Sequence, residues 1–252
     1  MPLPERLTRT RLLLGDRAVE RLRASFVAVI GLGAAGSYAA EALARAGVGR
    51  LRLVDFDRVR ETNQNRMLWA TRSTLGRPKA EVARERLRDV APDAALEALC
   101  VFVHRDTLDQ VLAGPPDLVV DAIDSLAPKV ALIQACQARA IPIISCMGAA
   151  RRLDPAAVRF GLLAESKMCP LAQRVRKALR KIKASLDVPC VYSVEEALAE
   201  SQGPEDEPEE TRRGRARKAL GSLPTIPGII GLIAAHHAIL TLSGFRPGFQ
   251  QD

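Results

Sequence analysis

Aromatic side chains make up only 4% of the 252 residues (one Trp, two Tyr, six Phe), and the chain holds three His in all. Rings this few leave little for stacking splayed bases, and no module of the aromatic-platform kind is written in the sequence. Histidines this few argue against a His-based proton relay. Cysteine occurs five times, at Cys100, Cys136, Cys146, Cys169 and Cys190, but never as a CxxC pair. A four-thiolate zinc site needs close pairs, so structural zinc is not expected. An odd cysteine count behind an N-terminus with no apolar signal region points to a reduced, cytoplasmic protein. No internal repeat is present.

What the chain does contain is average for a soluble globular protein: 48% hydrophobic and 26% charged residues. The length suits one α/β domain with appendages, or two small domains. The charge balance, 37 Lys and Arg against 29 Asp and Glu for a net +8, favours a polyanionic partner such as RNA or a phosphate-rich ligand.

Along the chain, residues 1–24 mix Arg and Leu at helical spacing, and Phe26–Ile30 is a short apolar run of the kind a central parallel strand requires. Ala39, Ala42, Leu43 and Ala46 then mark one face of a helix, which Gly47 and Gly49 stop before a second strand, Leu51–Val54. The alternation continues with a helix opening near Pro78, strands around Leu96–Val101 and Leu118–Val120, a helix from Pro128 to Arg139 and a strand Ile141–Ser145. This order specifies an α/β fold: a Rossmann-like, doubly wound, mostly parallel sheet, with ligands at the strand C-terminal ends. We expect N-terminal helices plus this nucleotide-binding core over residues 1–150, and a C-terminal lobe outside the sheet over 151–252. That lobe would carry a helix with an apolar stripe of Val175, Ala178, Leu179, Ile182 and Leu186. Arg174, Arg176, Lys177, Arg180, Lys181 and Lys183 crowd its other positions. Residues 201–218, an acidic block followed by a basic one, read as a mobile loop. The C-terminal helical extension, Ile229–Leu242, is almost wholly apolar, but Pro227, Gly228, Gly231, His236 and His237 interrupt the stretch. A buried or dimer-interface helix is expected over a membrane span.

Gly31-Leu-Gly33-Ala-Ala-Gly36 follows the first strand and opens the first βαβ helix. In that context Gly31 permits the tight turn, Gly33 lets backbone approach a phosphate, and Gly36 allows close packing of helix and strand. The helix N-terminus offers unpaired N–H groups to the anion. Asp55 ends the second strand, where a carboxylate accepts ribose hydroxyls. Asp57 reads equally as a capping carboxylate or as a group at the ribose or a metal. To this point NAD and ATP fit equally well. They part at Thr62-Asn63-Gln64-Asn65-Arg66, Gly76-Arg77-Pro78-Lys79 and Asp121-Ala-Ile-Asp124-Ser125. When a carboxylate attacks the α-phosphorus and pyrophosphate leaves, charge builds on phosphate oxygens and is met by cations and Mg²⁺. Arg66 can clamp phosphate bidentately and Lys79 can meet it as a point charge. Asp124, past a strand end, suits Mg²⁺, a hard cation that takes oxygen ligands. An NAD(P)-dependent oxidoreductase leaves these three residues without a purpose; a non-catalytic nucleotide-binding scaffold is the third reading.

The segments VIGLGAAGS (29–37), LVDFD (53–57), TNQNR (62–66), GRPK (76–79) and DAIDS (121–125) resemble the ATP-dependent activating enzymes of the ThiF, MoeB and ubiquitin-activating type. The resemblance implies that Gly31, Gly33 and Gly36 line ATP. Ala34 sits in the same turn, where the family usually has a glycine. By the same resemblance Asp55 binds the ribose, Asn63, Arg66 and Lys79 bind phosphates, and Asp124 beside Ser125 carries the Mg²⁺-linked role. Arg11, in RTRLLLG, is similar to an arginine the family supplies to the partner's site in a homodimer. Within the family, KAEVARERLRDVAPD (79–93), VVDAIDSLAPKVALIQACQARAIPIIS (119–145), CPLAQRVRKALRK (169–181) and VPCVYSVEEAL (188–198) look like the tRNA threonylcarbamoyladenosine dehydratases. That implies activation of the modified nucleoside's carboxylate as an acyl-adenylate, then ring closure beside the anticodon with net loss of water. A tRNA partner, not DNA, would meet Arg174, Arg176, Lys177, Arg180 and Lys181, and the basic run Arg212, Arg213, Arg215, Arg217 and Lys218, through backbone phosphates. Cys190 matches a cysteine of the family. A reactive thiol there would suit a ThiF-type adenylyltransferase in sulfur transfer, with a sulfur-relay or cysteine-desulfurase partner. The lack of any adjacent base favours an inert one.

Overall fold

The computed structural model describes residues 3–199 and 220–245. Its helices are α1 (Thr8–Leu14), α2 (Asp16–Ala24), α3 (Ala34–Ala46), α4 (Lys79–Val90), α5 (Leu108–Val111), α6 (Leu126–Ala138), α7 (Pro170–Lys181) and α8 (Thr225–Ser243). The strands are β1 (Phe26–Ile30), β2 (Arg50–Val54), β3 (Ala95–Leu99), β4 (Leu118–Asp121), β5 (Ile143–Cys146), β6 (Val158–Leu162) and β7 (Pro189–Ser193). They form one sheet in the order β3-β2-β1-β4-β5-β7-β6, parallel throughout except for the β6–β7 pair. The strand order reverses beside β1, between β2 and β4, and opens the crevice that α/β sheets use for ligands.

Apolar burial explains the central strands. All five residues of β1 and all four of β4 are buried, as strands covered on both faces must be. Two cores result. One lies under α2, α3, α4 and α8 and includes Leu22, Leu43, Leu53, Leu87 and Ile230. The other lies under α6 and α7 and includes Ile30, Leu132, Ile133, Val175 and Leu179.

Three expectations change. The residues after 150 do not all stand outside the sheet: β7 pairs with β5 and carries β6 at the edge. These strands escape periodicity because β6 places Arg159 and Gly161 in a half-exposed edge and β7 begins on Pro189, a residue confined to strand starts and edges. The α7 stripe is shorter than expected, since the helix ends at Lys181 and Lys183 turns back at φ +54°; Ile182 is exposed. α6 begins at Leu126 rather than Pro128, which is tolerated in the first turn because N–H groups there have no helical partner. The 201–218 loop and its basic run lie outside the described residues.

α8 is long and apolar enough to cross a membrane by length and composition, yet one face packs tightly onto α3. A Cβ at Gly231 would sit 2.1 Å from the Ala35 carbonyl oxygen, and Gly228 lies against the Tyr38 ring. Ile226, Ile230, Ala234 and Ala238 continue the buried face. α8 therefore buttresses the helix whose N-terminus faces the crevice.

Candidate active site

The Gly31–Gly36 turn is shaped by its backbone. Gly31 has φ +89°, and a Cβ there would lie 2.7 Å from the Ala122 carbonyl oxygen; a Cβ on Gly36 would lie 1.8 Å from the Gly31 carbonyl oxygen. Both positions are closed to side chains. Gly33 differs: at φ −73° it caps α3, and nothing lies within 4 Å of where its Cβ would point. No side chain caps α3, whose first residue is the half-buried Ala34. A thirteen-residue helix thus points its N–H groups and the positive end of its dipole into open space above Gly33.

Asp55 stands across from that turn. Its Oδ2 accepts from the Leu32 N–H at 2.6 Å and its Oδ1 from the Asp57 N–H at 2.8 Å, which leaves further lone pairs for hydroxyl donors. Burial pushes the Asp55 carboxyl above its ordinary value; the Lys79 ammonium pulls it back, and the Asp57 carboxylate adds to the rise. Lys79, nearly buried, donates to Asp57 Oδ2 at 2.7 Å, and its own N–H reaches the Asp57 carbonyl at 2.9 Å. Asp57 thereby holds the ammonium beside Asp55, and no side chain caps α4.

Asn63 and Arg66 lie in the segment that follows β2, and their side chains bond locally. Asn63 Oδ1 accepts the Arg60 N–H at 3.1 Å, and Arg66 donates to the Thr62 carbonyl at 2.7 Å and to Asn65 Oδ1 at 2.8 Å. This segment is tied to α3 through the Leu68 N–H and Ser37 Oγ at 3.2 Å. Asp124 is exposed just past β4, with Ser125 Oγ 3.3 Å from its Oδ1. Its turn adjoins Gly31, since the Ala122 N–H bonds the Ile30 carbonyl. Gly31, Gly33, Gly36, Asp55, Asp57, Lys79 and the 121–125 turn therefore meet at one sheet edge.

Other expected residues lie elsewhere. Arg11 sits on α1 near Asp16, at 3.8 Å, beside the exposed Leu12 and Leu13. On α7, Arg174, Lys177, Arg180 and Lys181 are exposed. Arg176 is corrected from this row: it is half-buried and donates to the Ser166 carbonyl at 2.7 Å and to the Ser166 hydroxyl, so it pins α7 to the preceding loop. Cys190 is wholly buried on β7, and burial pushes its thiol up to about 12, so it stays protonated at neutral pH. That favours the inert reading of Cys190 over the reactive one. Sequence reasoning missed the buried Asp121–Lys129–Ser145 cluster beneath the Asp124 turn. Its signal was a lone Lys in the otherwise apolar run of α6.

Comparison with known proteins agrees with this geometry. The chain matches the ThiF family over residues 6–251. It is 37% identical to the tRNA threonylcarbamoyladenosine dehydratase of Bacillus subtilis (strain 168), covering 93% of both chains. To the Escherichia coli (strain K12) dehydratase it is 34% identical, covering 93% of this chain and 92% of the other. The crystal structure of the E. coli tRNA N6-threonylcarbamoyladenosine dehydratase in complex with ATP superposes with a TM-score of 0.84 at 32% identity, covering 95% of this chain and 94% of that one. With its crevice, its glycine turn and its strand-end residues accounted for, the chain belongs to the ThiF family.

Proposed function

We propose that this protein is an ATP-dependent adenylating enzyme that acts as a tRNA threonylcarbamoyladenosine dehydratase. One observation carries the ATP-dependent part: an uncapped helix N-terminus over an open glycine lies on the same sheet edge as a ribose-type carboxylate, a buried lysine and an exposed carboxylate turn. The dehydratase relatives, alike over nearly the whole chain, support the substrate assignment.

In this reading Asp55 accepts the ribose hydroxyls, and the α3 N-terminus with Gly33 receives phosphate oxygens. Lys79 and Arg66 meet the charge that builds as pyrophosphate departs, and Asn63 and Ser125 contribute polar contacts at the rim. Among the described residues no cluster of three His, Cys, Asp or Glu could hold a metal by itself. Mg²⁺ nevertheless suits the single exposed carboxylate of Asp124, because that ion is commonly held by one or two carboxylates together with substrate phosphates. When bound it would neutralise phosphate charge. Arg174, Lys177, Arg180 and Lys181 offer a basic face to the tRNA backbone. Exposed Leu12 and Leu13 beside Arg11 support a homodimer in which Arg11 serves the partner's site. The packing of α8 on α3 supports a core helix and a cytoplasmic enzyme. An oxidoreductase would leave Lys79 and Asp124 idle.

Incubation with α-labelled ATP, Mg²⁺ and tRNA bearing threonylcarbamoyladenosine tests the proposal. The expected result is tRNA-dependent AMP release with loss of one water from the nucleoside mass. AMP release without that loss refutes the dehydratase assignment, and absence of ATP turnover refutes adenylation.

A further inference from the structure

Directly beneath the Asp124 turn lies an ion pair that the proposed mechanism does not use. Lys129, in the first turns of α6, is fully buried, as are Asp121 at the end of β4 and Ser145 at the end of β5. The Lys129 Nζ donates to Asp121 Oδ2 at 2.6 Å, to Ser145 Oγ at 3.0 Å and to the Cys146 carbonyl at 3.0 Å, so all three ammonium protons are used. Ser145 Oγ donates to the same Asp121 oxygen at 2.5 Å, while the other, Oδ1, accepts the Ile123 N–H at 3.0 Å. A buried pair is weak evidence of stabilisation, since an apolar replacement is often as stable. Its value here is positional.

The sheet order gives that position its meaning. In the adenylating reading Asp55, just past β2, places the ribose side, α3 after β1 the phosphates, and Asp124 after β4 the far phosphate side, by the strand order. The next strand outward is β5, which leads into the 147–152 segment. That segment is held by the Met147 N–H on the Val191 carbonyl and by the Arg151 N–H on the Gly221 carbonyl. The Ser222 carbonyl, one residue on, accepts from Asn65 in the segment that follows β2. The 147–152 segment therefore borders the Asp124 turn on the β5 side of the crevice. Lys129 bonds both the strand end that opens the Asp124 turn and the strand end that leads into the 147–152 segment.

We propose that Lys129 is a positioning residue which, through Asp121 and Cys146, fixes the Asp124 turn against the β5 exit and so sets the place of Asp124 at the nucleotide phosphates. This rests on the adenylating reading above. Its test compares Lys129→Met, the charge-free pair Asp121→Asn with Lys129→Met, and Ser145→Ala, each measured for urea stability, adenosine and Mg·ATP affinity, and tRNA-dependent AMP release. Lys129→Met strands a buried carboxylate and is expected to lose stability; the double variant removes both charges and should recover most of it. Turnover in the double variant should nevertheless stay about 100-fold down, as misplacement near 1 Å costs. Mg·ATP affinity should fall about tenfold while adenosine affinity, set at β2, is unchanged. Ser145→Ala leaves no charge unpaired and should lower turnover several-fold at near-native stability. Recovery of turnover together with stability in the double variant overturns the proposal, as does a parallel loss of adenosine affinity. If the native protein releases no AMP with tRNA, the acceptor assignment fails, and the ratio of Mg·ATP to adenosine affinity in the variants still decides the role of Lys129.

Discussion

Gly33→Ala separates binding from folding. Of the three motif glycines it alone has a Cβ direction clear for 4 Å, and its φ is −73°. Alanine is a poorer helix cap than glycine, a loss of about 0.5–1 kcal/mol. Net stability should therefore fall by about 1 kcal/mol. The added methyl occupies the space in which a phosphate would meet the N–H groups of α3. Loss of one hydrogen bond to a charged group costs about 1.5–3 kcal/mol, or roughly 10- to 150-fold in ATP affinity. Adenosine, anchored at Asp55, should bind as before. Urea denaturation and calorimetric titration with both ligands measure all three quantities. Unchanged ATP affinity would refute the placement of phosphate over Gly33. A large loss of stability would refute the open space.

Gly36→Ala should instead fail to fold, or lose more than about 3 kcal/mol of stability, because its methyl would meet the Gly31 carbonyl oxygen at 1.8 Å; soluble expression and a native-like melting curve would contradict this. Asp124→Ala, an exposed change, should keep the melting temperature within about 2 °C and cut AMP formation at least 100-fold. Retained turnover would remove Asp124 from the site. Reversal of Arg180 and Lys181 to Glu should weaken tRNA binding most at low salt and flatten the dependence of log affinity on log salt by up to about two units. The same reversal at Arg176 should chiefly destabilise the protein, because that guanidinium holds Ser166.

The parallel core was legible because its strands are buried on both faces and read as short apolar runs between helical stripes; Phe26–Ile30 falls where the run lies. The edge pair β6–β7 was not, because an exposed edge relaxes the demand for apolar residues, and Arg159 and Phe160 are both exposed. The glycine turn and Asp55 could be read because backbone geometry admits few residue types there. Asp57 and Lys79 could be named as candidates, but their mutual contact joins residues 22 apart through a loop that no periodicity describes. Arg176 shows the limit of charge patterning. A helical wheel places it among solvated basic residues, and only the Ser166 carbonyl explains why it turns inward. Lys129 shows the converse, a charge within an apolar helix whose reason is the strand-end carboxylate it meets.

The raised Asp55 carboxyl turns the ribose assignment into a dependence on acidity. Desolvation is the largest cause of the rise above 3.8, and the Lys79 ammonium is the main force against it. Both oxygens already accept a backbone N–H, so the ionised group receives ribose hydroxyls on its remaining lone pairs most strongly. A proton takes up one acceptor lone pair and removes the charge that strengthens the remaining hydrogen bonds. Adenosine affinity should thus fall as pH drops through a midpoint above the ordinary carboxylate value, and adenosine, unlike ATP, brings no phosphate titration of its own. The effect of this group on folding has the opposite sign. A raised native pKa contributes stability that is present below the unfolded value and lost as pH rises through the native one, so protonation of Asp55 releases the nucleoside without loosening the protein. Lys79→Ala removes the principal opposing charge and should move the binding midpoint to higher pH. A midpoint that stays at the ordinary carboxylate value, or that ignores Lys79→Ala, would mean that the ribose is not held by Asp55.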